Sequence, residues 1–289
     1  MRRRAGQIHA TAGWPVSAVG LLGEEHPDTL LPMKESGKWN FDLGRCTAAY
    51  ALGLTFGSPL QLLALGLVAA GATITSAAVR LHPGPWLPLF TRMFAVLLVA
   101  SEAIWWLYAA VHHLPLAVAL PLQLCDVAPL VAALALWWRW PLAAEIAYFW
   151  GLAGSTQALL TPDLPDRFPS FLFLQYIAEH GLTVVAALLL PIGLGLHPRP
   201  GALLRVTLAT AGLAVIAGIA DLLTGGDYMF LARPPASPTL LSLLGPWPWY
   251  LAGAAVVALV LVALLELPFR WQRRFPKPAP PTGEPLARS

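Results

Sequence analysis

Apolar residues in this chain come in long blocks rather than in the alternating or one-faced patterns of soluble strands and helices. Seven such blocks run over roughly 59–79, 89–111, 117–138, 142–161, 169–195, 201–223 and 247–268. A hydrocarbon core of about 30 Å is crossed by about 20 helical residues, so each block is a candidate span. Short polar connections separate them, for example LHPGPW at 81–86 and LHPRPG at 196–201. Proline suits a helix start because its missing N–H would have no partner there. The pattern predicts an all-α polytopic membrane protein, a bundle of about seven transmembrane helices over residues 58–269. Residues 1–57 are expected to form a polar, poorly ordered N-terminal segment. Residues 270–289 are expected to form a basic, Pro-rich tail. The opening MRRRAGQIHATAGW has no continuous apolar core of the kind a secretory signal needs, and MKESGKW reads as a natural start at Met33.

Composition agrees with the pattern. The 289 residues are 57% hydrophobic and 11% charged, against about 25% charged in soluble domains. The mean hydropathy is +0.64. The net charge of +3 is explained by basic residues flanking spans, and no basic-aromatic module points to nucleic acid. With seven spans, alternate loops fall on opposite sides. One side receives Arg80, Arg92, Arg139, Arg199 and Arg205, then Arg270, Arg273, Arg274 and Lys277; the other receives Arg167 and Arg233. The positive-inside rule then predicts an external N-terminus and a cytoplasmic C-terminus, in a multi-pass protein of the cell membrane. Arg2–Arg4 run against that assignment but lie far from the first span. Trp137, Trp138, Trp140, Trp247 and Trp249 stand at span ends, where indoles anchor at the interface.

Two cysteines, Cys46 and Cys125, make neither a disulfide framework nor a zinc spacing. Adjacent His112 and His113 do not share a helix face. No metal and no cofactor is expected on these grounds. The expected surroundings are membrane lipids, as environment and as candidate substrate; the sequence leaves protein partners open.

The polar residues inside the blocks carry the chemical information. LPLQLCDVAPL, 120–130, places Gln123, Cys125 and Asp126 between Pro121 and Pro129. In the alternating topology these residues lie below the outer surface. Gln157 in the fourth block and Gln175, Glu179 and His180 in the fifth fall at similar depth. Glu102 lies near the middle of the second block, Asp221 near the outer end of the sixth, and Glu145 near the inner boundary. An ionisable group at mid-membrane costs about 2.5–3.5 kcal/mol on insertion scales, so such groups face the bundle interior. Gln123 and Asp126 are i,i+3, and Gln175 and Glu179 are i,i+4, so each pair shares a helix face. These residues form either a polar cavity toward the outer leaflet or interhelical hydrogen bonds that hold the bundle.

Five segments carry a family resemblance: LPLQLCDVAP (120–129), EIAYFWGLAGSTQALLTPDLP (145–165), FPSFLFLQYIAEHG (168–181), GGDYMFLARPP (225–235) and LLGPWPWY (243–250). Together they resemble the YwaF-type, or TP0381-like, bacterial integral membrane proteins, over roughly residues 57–268. That family is more distantly similar to a eukaryotic transmembrane acyltransferase of ether-phospholipid remodelling with a cysteine centre. It is more distantly still similar to the androgen-induced membrane hydrolases of fatty-acid esters. The resemblance implies Cys125 as nucleophile and His180 as base. One departure is FGSPLQLL, which has Gln61 where relatives of this type carry His.

The residue chemistry is compatible with that implication. A buried thiol needs a base to become a nucleophile. His180 is the candidate, with Asp126 or Glu179 to orient its ring. Gln123, Gln157 or Gln175 are the candidate oxyanion donors. The expected reaction is lipid acyl transfer or lipid-ester hydrolysis. Two other readings stay open: a transporter or channel with an Asp/Glu/His pathway, and a non-catalytic, receptor-like seven-span protein.

Overall fold

The computed structural model describes Leu54 and residues 56–275, except 163, 165 and 236–239. Most of the expected polar segment at 1–57, the start at Met33, Cys46 and most of the tail at 270–289 lie outside the described residues. What is described is helical throughout its long elements. In chain order these are α1 (Pro59–Leu81), α2 (Leu87–Val111), the single turn α3 (Leu116–Ala119), α4 (Leu124–Trp138), α5 (Pro141–Trp150), α6 (Thr156–Leu160), α7 (Phe171–Leu188), α8 (Ala202–Thr224) and α9 (Trp249–Arg274). Two π turns extend this set. Gly151–Ser155 joins α5 to α6, and Leu189–Gly193 continues α7.

Five helices are long and apolar enough to cross a membrane: α1, α2, α7 with its π turn, α8 and α9. The third expected span is not one helix. Leu120 to Gln123 are extended between α3 and α4, with Pro121 in the break, and α4 has only 15 residues. The fourth is α5 and α6 joined through a π turn, which keeps one axis but shifts its register. Helix α9 runs on to Arg274, past the boundary expected at 269, because Glu266 accepts from Arg270 and Arg273 along its last turns (2.6 and 3.3 Å).

Two apolar cores meet at the α4–α5 hairpin. On one side Ala132, Ala135 and Leu136 of α4 pack with Ala143 and Ala147 of α5, Ala186 and Leu189 of the α7 segment, and Leu98 of α2. On the other side Ala128, Tyr148 and Phe149 pack with Val206, Val262 and Phe269 of α8 and α9. Small residues let helix backbones approach closely where no water drives association. The outward surface is apolar instead: Leu62, Ile74, Met93, Leu107, Leu208 and Val260 are all exposed, as lipid-facing side chains must be. The short α4 is thus the central helix, and its N-terminal end carries Cys125.

At the opposite end of the α4–α5 hairpin, Glu145 is 1% exposed and does not reach the interface alone. It accepts from Arg199 (backbone N 2.9 Å, Nε 2.8 Å) and from Arg205 (Nε 2.8 Å, Nη2 2.9 Å). This clasp ties α5 to the start of α8.

Candidate active site

The break at Leu120–Gln123 gives α4 an N-terminus inside the bundle, and Cys125 stands in its first turn. The Asp126 carboxylate reaches back to accept the Gln123 backbone N–H (3.1 Å), satisfying one orphan donor of that end. The Cys125 Sγ lies 3.5 Å from the other Asp126 oxygen and donates to it. No acceptor faces the backbone N–H groups of Leu124 and Cys125 among the described residues. Pro129 lacks the N–H that would bond the Cys125 carbonyl, so the first turn is loosened on that side too.

Helix α7 supplies the opposing face. Ser170 caps it through its side chain, accepting from the Phe173 N–H (3.2 Å). His180, 4% exposed, places Nδ1 2.8 Å from the Tyr176 carbonyl. Its ring lies over Tyr176, with centroids 4.2 Å apart. Donation from Nδ1–H leaves Nε2 with the free lone pair. Tyr176 in turn donates from its hydroxyl to the Ala158 carbonyl of α6 (2.7 Å). One Cys125 Sγ, one Glu179 oxygen and one His180 ring nitrogen all lie within 4.8 Å of one another.

Helix α2 closes the third side. Gln175 Nε2 donates to the Ser101 carbonyl (3.1 Å) and to Glu179 Oε2 (3.3 Å). Glu102 is fully buried, and among the described residues neither of its oxygens has a hydrogen-bond partner; Glu179 Oε1 is equally unpartnered there. Glu102 interacts electrostatically with Asp126 and with Glu179. Three carboxyl groups and a thiol therefore share one buried site, and among the described residues no Lys or Arg pairs with any of them.

Cys125, Asp126, Glu102, Gln175, Glu179 and His180 are brought together as the depth argument expects. The other expectations need correction. The His180 ring is held through Nδ1 by the Tyr176 carbonyl, its i−4 neighbour on the same helix, and no hydrogen bond from it to Asp126 or Glu179 is found among the described residues. Gln123 points away and grips the loop after α8: its Oε1 accepts from Met229 N–H (2.7 Å) and its Nε2 donates to the Asp227 carbonyl (3.4 Å). Asp221, in the last turn of α8, serves that loop as well, accepting the Tyr228 N–H (2.7 Å). The Tyr228 hydroxyl donates to the Leu116 carbonyl and accepts from Leu120 N–H (3.0 Å). Gln157 is half-buried, and no hydrogen bond of its side chain is found among the described residues. Gln61, the departure from the family pattern, ties the start of α1 to the end of α6. Its Nε2 donates to the Leu159 and Leu160 carbonyls (2.8 Å each), and its Oε1 accepts from Gly57 N–H (2.6 Å).

Sequence reasoning missed the free N–H pair at Leu124 and Cys125. The signal was present: proline at 121 in mid-block implies a helix start a few residues on. A lateral apolar groove of about 360 Å³ lies between α1, α2 and α7, lined among others by Val68, Gly71, Phe90, Phe94, Ala178 and Gly181.

No curated protein and no solved structure matches the chain. The apolar helices and their lipid-facing surface are those of an integral membrane protein, and the TMEM164 family matches residues 55–266. The chain belongs to the TMEM164 family.

Proposed function

We propose that this membrane protein moves acyl groups between lipids, or from lipid to water, with Cys125 as nucleophile and His180 as general base. The observation that carries the reading is the approach of the Cys125 sulfur and a His180 ring nitrogen, within 4.8 Å, from two different helices. No hydrogen bond joins the two among the described residues, and such contacts tighten when substrate binds. Nε2 takes the thiol proton as sulfur attacks the ester carbonyl. The tetrahedral oxyanion is held by the Leu124 and Cys125 N–H groups at the positive end of α4. Collapse breaks the ester C–O bond, and the imidazolium returns the proton to the departing lysolipid alkoxide. An acceptor hydroxyl or water then attacks the thioester, losing its proton to Nε2, and the thiol is restored. Asp126 holds the α4 terminus in place, and the lateral groove between α1, α2 and α7 offers an acyl chain a bed.

The reading includes seven spans, with α3–α4 as the broken third and α5–α6 as the fourth. It also includes an external N-terminus, a cytoplasmic C-terminus, a place in the cell membrane, and kinship with the YwaF-type proteins. The test uses purified protein in nanodiscs with labelled phospholipid and lysophospholipid. Wild type should transfer or release label; Cys125→Ala and His180→Ala should each lose about 10³-fold or more. Transfer by Cys125→Ala at the wild-type rate would refute the nucleophile.

A second reading has its own observation. The unpartnered oxygens of Glu102 and Glu179 suit a proton pathway. Proton flux in liposomes that falls in Glu102→Gln, without any acyl transfer by wild type, would favour it.

A further inference from the structure

We propose that Cys125, Glu179 and His180 form a binding site for a thiophilic divalent cation of the zinc class, and that the bound ion silences the thiol. Three ligand atoms of three kinds, from α4 and α7, lie within 4.8 Å of one another. Zinc takes sulfur at about 2.3 Å and nitrogen or oxygen at about 2.0–2.2 Å, so tetrahedral ligands stand about 3.5 Å apart. Side-chain rotations of about 1 Å close the difference. The His180 ring is already set as a metal ligand's ring is set, with Nδ1–H donated to a carbonyl (2.8 Å) and Nε2 open.

The second observation is independent of the cluster itself. Glu102 comes from α2, is 0% exposed, and has two oxygens without partners; Glu179 Oε1, on a side chain 9% exposed, has none either. Buried carboxylate oxygens without donors are costly, and a cation bound by Glu179 satisfies its carboxylate directly and attracts Glu102 from the outer shell. Glu102, which interacts electrostatically with Glu179, serves as the outer-shell carboxylate. A thiolate and an imidazole select zinc over calcium or magnesium, which prefer all-oxygen sites. Binding releases the thiol proton to water. The ion's two positive charges balance the thiolate and the ligating carboxylate in a site where, among the described residues, no Lys or Arg pairs with either. The proposal rests on the thiol–imidazole reading for one consequence alone: an occupied site cannot transfer acyl groups, because sulfur and Nε2 are both used as ligands.

The test uses full-length protein in a Cys46→Ala background, so that any thiol signal belongs to Cys125. Protein in nanodiscs is stripped with chelator, then titrated with Co²⁺ and with Zn²⁺ in competition. The expected result is a thiolate-to-cobalt charge-transfer band that saturates at one ion per chain and is displaced by Zn²⁺. Cys125→Ala should abolish the band. His180→Ala and Glu179→Gln should weaken binding about tenfold or more, and Glu102→Gln about tenfold. Zn²⁺ should also protect Cys125 from maleimide in the otherwise unmutated site, a readout that needs no variant to fold. No band and no protection in wild type would overturn the site, as would binding unchanged in Cys125→Ala. Acyl transfer is measured in parallel. A band without transfer in the stripped protein removes the catalytic reading and keeps the ion site; transfer without a band does the reverse. Transfer that persists at saturating Zn²⁺ would overturn the silencing.

Discussion

Glu145 and its two arginines show how burial decides the sign of a substitution. The carboxylate is 1% exposed, while the Arg199 and Arg205 side chains are 49% and 34% exposed. Removing the acid leaves two cations that the interface can rehydrate. Removing the bases leaves a buried charge with no cation beside it, held by the residue-199 backbone N–H. Glu145→Gln is expected to cost about 1 kcal/mol, and Arg199→Ala with Arg205→Ala about 3–5 kcal/mol. Denaturation in detergent checks the order; an equal loss would mean that the arginines do not solvate Glu145. Of these pairings the sequence shows only the charges. Depth placed Cys125, Glu102, Glu179 and His180 near one another, because insertion cost forces ionisable groups inward wherever they occur. It could not pair Glu145 with residues 54 and 60 positions away, nor see that Gln123 serves a loop.

Among the elements, the π turn at Gly151–Ser155 shapes the site most. A methyl on Gly151 would stand 2.6 Å from the Ala187 Cβ and 3.2 Å from the Thr183 carbonyl, both on α7. Neither atom can rotate away. A methyl on Gly154 would meet the Leu124 Cδ2 at 2.6 Å, the neighbour of Cys125, but that side chain can turn. Gly151→Ala is expected to destabilise by about 1–3 kcal/mol, and Ala187→Gly to restore part of it in the double variant; Gly154→Ala should cost less. Thermal melts of the four proteins test this, and a neutral Gly151→Ala would mean that α7 is free to move off. Block length predicted both α7 and α5–α6 but not the π register, which depends on this close approach. The break before α4 was readable, since Pro121 stands inside the block.

At the scale of the whole molecule, the α4–α5 hairpin is the hub, with core packing on both faces. The loop after α8 bolts onto it through Gln123 and through Tyr228, which bonds both Leu116 and Leu120. Met229 and Phe230 hold left-handed backbone (φ 56° and 54°) to do so, which is costly for side chains of this size. Tyr228→Phe is expected to cost about 1–3 kcal/mol and to raise hydrogen exchange at Leu116–Leu124 before the rest of the bundle. Unchanged exchange there would mean that the loop is not what holds the α4 terminus. Topology is open to a direct check: a C-terminal reporter should label from the cytoplasmic side alone. Charge asymmetry is what argues for that side, whereas the loop's grip was invisible, because backbone carbonyls and N–H groups leave no mark in a sequence.

The π turn has one more implication, for insertions and deletions. It holds one residue more than an α-helical path would need. Deleting Ala153 would let α5 and α6 fuse into an ordinary helix with the phase beyond it nearly kept, because the wide turn already takes up the extra residue. The Leu159 and Leu160 carbonyls that Gln61 holds at 2.8 Å would stay within its reach, and what would change is the close approach of Gly151 to α7. Chain length at this point can thus differ by one residue without rephasing α1 and α7 around the thiol.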